Sequence, residues 1–224
     1  MKKVLVIAPH PDDEVIGCGG TIAKVSSENI HVDVAFMVAG WSGVQELDKK
    51  QAIAIRQDEA KEAGRILGIK NFYFLEFEDF NFVYSNDAVK AVIKVIRESN
   101  PTAIWFPHEA DGDFEHKVTH QVTKEACWIA STSCFAELGE PTFNIKQLLC
   151  YEVWTPMLRS QLKVDITPFI EQKLKALRCY KSQLASIKYD EAIMGLNRYR
   201  GAMSSISKYA EAFQMLRTSF QIPD

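Results

Sequence analysis

Two short stretches of this chain concentrate the residue types that bind cations and move protons. The first, Ala8-Pro9-His10-Pro11-Asp12-Asp13-Glu14, places an imidazole and three carboxylates within five residues. Ionisable groups packed this closely are costly unless a cation neutralises them. Imidazole and carboxylate are donors that zinc accepts, and a further aspartate beside them can act as a base. The second stretch, Pro107 to His116, carries His108 and His116 with Glu109, Asp111, Asp113 and Glu115, and His120 follows. His116 and His120 stand four apart, so on a helix they share a face and could hold one ion together with His10 or Asp13. A plainer reading of the first stretch is a solvated turn opening a helix. Asp12 or Asp13 is then its N-cap, and Glu14 complements the helix dipole.

The elements around these stretches decide whether they can meet. Val4-Leu5-Val6-Ile7-Ala8 reads as a fully buried strand, and Thr21 to Val25 as part of a helix. A second strand follows at His31–Val38 and a helix from Leu47 to Leu67, which Gly68 ends as a C-cap. Asn71–Leu75 is a third strand, residues 76–82 an aromatic loop, and Asp87–Asn100 a helix that Pro101 cannot continue. Thr102–Phe106 is a fourth strand. This alternation predicts an α/β fold, a mainly parallel Rossmann-like sheet with helices on both faces. Both acidic loops then leave the carboxyl edge of one sheet, where open α/β sheets bind ligands. Further on, 116–131 reads as a helix, 132–148 as irregular and 148–154 as a strand. Residues 164–166 are extended, and Thr167-Pro168 opens a helix with Thr167 as its cap. The chain is expected to form a single domain over 1–224. Its βα core covers about 1–135 and its strand–helix extension about 148–224.

Bulk properties narrow the classes of function. With 224 residues, 47% hydrophobic and 25% charged, the chain has the composition of one sizeable globular domain. Its net charge of −3 and lack of a basic stripe argue against a nucleic-acid partner. Lys2-Lys3 and the apolar run after them imitate a signal peptide, but the run stops at His10, and no apolar stretch is long enough to span a bilayer. A cytoplasmic protein is expected, with self-association left open. The five cysteines include no Cys-x-x-Cys, which argues against a disulfide framework or a thiolate metal site. Cys18, between two glycines, reads as a small filler.

The run Ala8 to Asp13 with Gly17-Cys18-Gly19-Gly20 resembles the opening signature of the LmbE-like, PIG-L family of zinc-dependent N-acetyl sugar deacetylases. Later stretches, Tyr151–Pro156, Ala176–Gln183, Gly195–Gly201 and Tyr209–Phe213, resemble the C-terminal half of members linked to surface-polysaccharide assembly. The resemblance implies Zn2+ held by His10, Asp13 and His116, with Asp12 as general base. It also implies a small N-acetylated amino-sugar substrate such as an N-acetylglucosamine conjugate. Arg56 stands at a family position where an arginine faces the substrate, although an Arg56–Glu59 surface pair is the simpler reading of that spacing. Asp79 could bind sugar hydroxyls or be a turn acid, and His120 could line the pocket wall. His108 reads as a loop residue bonded to backbone.

One departure stands out. Asp113 occupies the position where many relatives carry a catalytic histidine that steadies the oxyanion, and an ionised aspartate would repel such an anion. Two other readings stay open. A magnesium-dependent phosphoesterase would use Asp12, Asp13, Asp111 and Asp113 as hard oxygen donors, and a non-catalytic sugar-binding member would keep only the fold.

Overall fold

The computed structural model describes residues 2–44, 47–205 and 207–218. The last six residues of the expected C-terminal extension lie outside it. Strand β1 (Lys3–Ala8) is buried on both faces because it consists almost wholly of aliphatic residues. It pairs in parallel with β2 (His31–Val38) on one side and with β4 (Ala103–Pro107) on the other. β2 pairs with β3 (Asn71–Phe77), and β4 with β5 (Gln147–Tyr151), again in parallel. Two further strands, β6 (Leu162–Asp165) and β7 (Ala210–Thr218), complete the order β3-β2-β1-β4-β5-β7-β6. β7 runs antiparallel to both its neighbours, so the sheet is mainly parallel with an antiparallel edge.

Helices cover both faces, as the alternation predicts. Val4, Val6 and Ala8 pack with α1 (Asp13–Ser27) and α2 (Lys49–Leu67), and with α5 (Ile170–Leu177) and α7 (Tyr189–Ser204). Leu5 and Ile7 face α3 (Asn86–Ser99) and α4 (Phe114–Ile129). Each such buried Val, Leu or Ile contributes roughly 1.5–3 kcal/mol relative to exposure. Gly68 ends α2 at φ 85, as its C-cap reading requires.

The C-terminal third departs from the expectation. Thr167 does not cap a continuous helix: a short 3-10 turn precedes α5, and the separate α6 (Lys181–Leu184) follows it. Helix α7 and strand β7 complete the strand–helix extension.

Helix α1 is bent at Cys18, whose φ of −143° is non-helical. The bend exposes backbone groups that residues from the C-terminal third satisfy. Lys173 Nζ donates to the Ile16 carbonyl (2.9 Å), and Glu211 accepts the amides of Gly20 (2.8 Å) and Thr21 (2.7 Å). Lys173 and Glu211 also pair at 2.6 Å, both fully buried. Cys18 itself is a buried filler, and burial pushes its thiol pKa up.

Candidate metal centre

The loops after β1 and β4 emerge side by side at the carboxyl edge of the sheet. Chain order runs outward from this strand pair in both directions, which makes it the topological switch point. Here His10, Asp13 and His116 bring one donor atom each within 4.8 Å of one another. Asp13 Oδ2 lies 3.1 Å from His10 Nδ1 and 3.2 Å from His116 Nε2, and the two nitrogens are 3.3 Å apart. Tetrahedral coordination at bond lengths of about 2.0–2.1 Å separates ligand atoms by about 3.3 Å. The donor set therefore suits a small cation. Asp13 is fully buried and its Oδ1 has no hydrogen-bond partner, a costly arrangement that a cation would relieve.

Each imidazole is held from behind by a carboxylate. His10 Nε2 is 2.7 Å from Glu115 Oε2, and His116 Nδ1 is 3.3 Å from Asp111 Oδ1. Such partners fix the ring and turn the other nitrogen's lone pair toward a metal. Burial disfavours charge on His116, but Asp13 and Asp111 outweigh it and raise its pKa to about 9. Burial likewise opposes charge on His10, yet Asp13 and Glu115 hold its pKa well above the ordinary value. Burial would raise Asp13, but His116 and His10 pull it well below the carboxylate range. Asp12 is different: burial lifts it to about 6 against the opposing charge of Arg56.

Asp12 occupies the N-cap position of α1, but its side chain makes no capping bond, so the solvated-turn reading fails. Its backbone lies at φ 138, ψ −29, a conformation that costs a non-glycine residue about 1–3 kcal/mol. Arg56 is 2% exposed, donates to the Pro11 carbonyl and lies 3.5 Å from Asp12 Oδ1. It does not form the surface pair with Glu59, which instead accepts the Ser182 amide and hydroxyl.

Three other predicted residues have different placements. Asp113 is the N-cap of α4: its Oδ1 accepts the amides of Glu115 (2.7 Å) and His116 (3.2 Å), which starts the helix two residues earlier than expected. It still lines the cleft beside His10 and Asp12. Asp79 uses both oxygens on backbone, accepting the amides of Gly40 and Ser42 at 2.8 Å each, so the turn-acid reading holds. His120 is one turn of α4 beyond His116 and sits apart from the cleft. Its Nδ1 faces the Pro107 carbonyl (3.0 Å) and its ring packs on Phe106. A helical turn advances about 5.4 Å, enough to carry it from the loop into the helix–sheet contact. His108 bonds the Thr155 carbonyl at 2.7 Å.

The cleft above the donors holds about 180 Å³ and is lined by Ser42, Phe80, Trp154, Gln183 and Tyr189 as well as Arg56. Phe80 belongs to the aromatic loop, and Trp154 and Gln183 to stretches that carry the family resemblance, but Ser42 and Tyr189 had no site reading in sequence, because they come from elements remote from the acidic loops. Glu115 and Asp111 were within reach, since a ligand histidine requires a partner for its second nitrogen.

Known proteins resemble this chain in sequence and in fold. A family model described as PIG-L, GlcNAc-PI de-N-acetylase, matches residues 5–127. A diacetylchitobiose deacetylase of Thermococcus kodakarensis is 28% identical over 96% of this chain and 84% of its own length. The structure of N,N'-diacetylchitobiose deacetylase from Pyrococcus horikoshii superposes with a TM-score of 0.87 at 28% identity, covering 96% of this chain and 84% of that one. A 4-carboxy-2-hydroxymuconate hydratase from Pseudomonas putida shares the fold, with a TM-score of 0.86, 22% identity and complete coverage of both chains.

Proposed function

The chain belongs to the PIG-L, or LmbE-like, family, and we propose that it is a zinc-dependent deacetylase removing the N-acetyl group from an amino-sugar substrate. The observation that carries this reading is the convergence of His10, Asp13 and His116 at the switch point, with Asp12 lining a cleft beside His10. Zinc bound there would polarise the acetyl carbonyl and lower the pKa of a water from 15.7 toward about 7.

The chain's own residues supply the rest. Asp12, partly desolvated but next to Arg56, accepts a proton from the attacking water and returns it to the departing amine nitrogen. Without that proton the nitrogen is a poor leaving group. Arg56 lines the cleft and keeps two buried N–H groups, at Nε and Nη1, without hydrogen-bond partners, so a substrate oxygen entering the cleft would find donors there. The cleft is small, so it encloses the acetamido end while the remaining sugar lies over the faces of Phe80 and Trp154, 81% and 41% exposed. Asp113 does not serve the oxyanion, since its charge opposes an anion, and Arg56 is the cationic side chain of the cleft that does.

The test is acetate release from a panel of N-acetylated amino sugars, with metal content measured on the same protein. Asp12→Asn is expected to lower turnover by roughly 10²–10⁴ while keeping the metal. Full activity in that variant would remove Asp12 from the mechanism. A protein that held zinc and released acetate from none of the panel would refute the assignment.

A further inference from the structure

The proposed base is set in a backbone that a free loop would not keep. At φ 138, Asp12 is outside the regions open to L-residues, and such conformations persist only where the surroundings over-determine them. Here the bonding groups of that peptide segment are engaged. The Pro11 carbonyl receives Arg56, the Asp12 amide donates to Glu14 Oε2 (3.1 Å), and the Asp12 carbonyl accepts Val15 and Ile16 (2.9 Å each). Glu14 is fully buried and does not line the cleft; the Tyr180 hydroxyl donates to its other oxygen. Tyr180, also fully buried, comes from the C-terminal extension and lies under the Arg56 guanidinium at 5.7 Å. Gly40, at φ 75, closes the arrangement from above. A Cβ there would stand 3.0 Å from Pro11 and 3.1 Å from Arg56 Nε, and Asp79 ties down its amide.

We infer that Glu14, anchored by Tyr180, is a positioning residue that holds the backbone of Asp12 and so aims its carboxylate, without touching substrate or metal. The inference rests on the role proposed for Asp12. A merely structural role for Glu14 would lower stability but would leave turnover of the folded protein unchanged.

The experiment compares Glu14→Ala, Glu14→Gln and Tyr180→Phe in metal-loaded protein, alone and combined with Asp12→Asn. Acetate release, bound metal and crystal structures are the readouts. Glu14→Ala is expected to lower kcat about 10- to 100-fold with KM within about threefold and metal retained, and to let the Asp12 φ leave the positive region. Glu14→Gln keeps an acceptor for the Asp12 amide and should recover to within about threefold of the parent. In the Asp12→Asn background the alanine change should cost less than about twofold more, because the two residues act as a unit. Where Glu14→Ala does not fold, Tyr180→Phe decides: it is expected to lower kcat more than Glu14→Gln and less than the 10- to 100-fold given for Glu14→Ala, and activity equal to the parent's would overturn the inference.

An unchanged Asp12 φ, an equal loss in both backgrounds, or a loss that follows metal content would overturn the inference. Absence of acetate release by the parent protein, or full activity of Asp12→Asn, would instead overturn the proposed function. The φ measurement would still decide whether Glu14 holds that backbone.

Discussion

An imidazole makes a dependable metal ligand only when its far nitrogen is occupied, and here Glu115 and Asp111 do that work for His10 and His116. Glu115 also accepts the Phe80 amide at 2.7 Å, so one carboxylate meets both the His10 ring and the loop that roofs the cleft. Glu115→Gln and Asp111→Asn are each expected to weaken zinc binding 10- to 100-fold, measured by competition with a chromogenic chelator. Affinities within twofold of the parent protein would show that the rings are held by packing alone. The same logic explains why Asp113 need not serve the oxyanion. As the cap of α4 it sets the first turn, which presents Glu115 and His116 to the centre.

At the level of elements, the bent helix α1 links the site to the C-terminal extension. Gly17 lies against β5: a Cβ there would fall 2.2 Å from the Tyr151 ring and 2.8 Å from the Glu152 carbonyl. Gly17→Ala should therefore destabilise the fold by about 1–3 kcal/mol in urea titration, through overpacking. The buried Lys173–Glu211 pair supports the bend itself. Lys173→Met strands the Glu211 charge in the core and is expected to cost about 3–5 kcal/mol by the same measurement. A cost below 1 kcal/mol would mean that Glu211 is satisfied by the Gly20 and Thr21 amides alone. In sequence the glycine-rich run stands only as part of a signature ahead of a helix. Its close approach to a strand more than 130 residues away is invisible there because it depends on the partner.

Across the whole molecule, the two ends of the sheet do different jobs. The carboxyl edge carries the charged site, whereas the amino edge is fastened by Asp33. That residue accepts Lys3 (2.8 Å), Ser99 (2.8 Å) and Asn71 (2.9 Å), and lies 2.7 Å from His31. Burial alone would raise the Asp33 pKa, but these partners hold it below the ordinary value. Its contribution is therefore full above the unfolded-state pKa near 4 and disappears as pH falls through the lower folded value. Asp33→Asn should cost about 1–3 kcal/mol at neutral pH, with the gap from the parent narrowing below about pH 4. A gap that widened toward acid would invert this assignment. The likeness to a hydratase at a TM-score of 0.86 shows that this fold does not by itself select a reaction. In the proposed function that selection falls to His10, Asp12, Asp13 and His116.

The sequence by itself determined the parallel core, because aliphatic strands alternating with amphipathic helices have few other ways to bury both faces of a sheet. It also indicated where the candidate residues gather, since His10, Asp12, Asp13 and His116 lie in or just after the strand-to-helix turns along one edge of that sheet. Only the tertiary structure separated His116 from His120, committed Asp79 to backbone, made Asp113 a helix cap at the cleft wall, and buried Arg56 beside Asp12. It alone brought Tyr180, Lys173 and Glu211 under the first helix. Spacing along a chain fixes which residues share a loop or a helix face. Which of them face a cleft depends on where helices cross and what packs behind them, and those contacts join residues far apart in sequence.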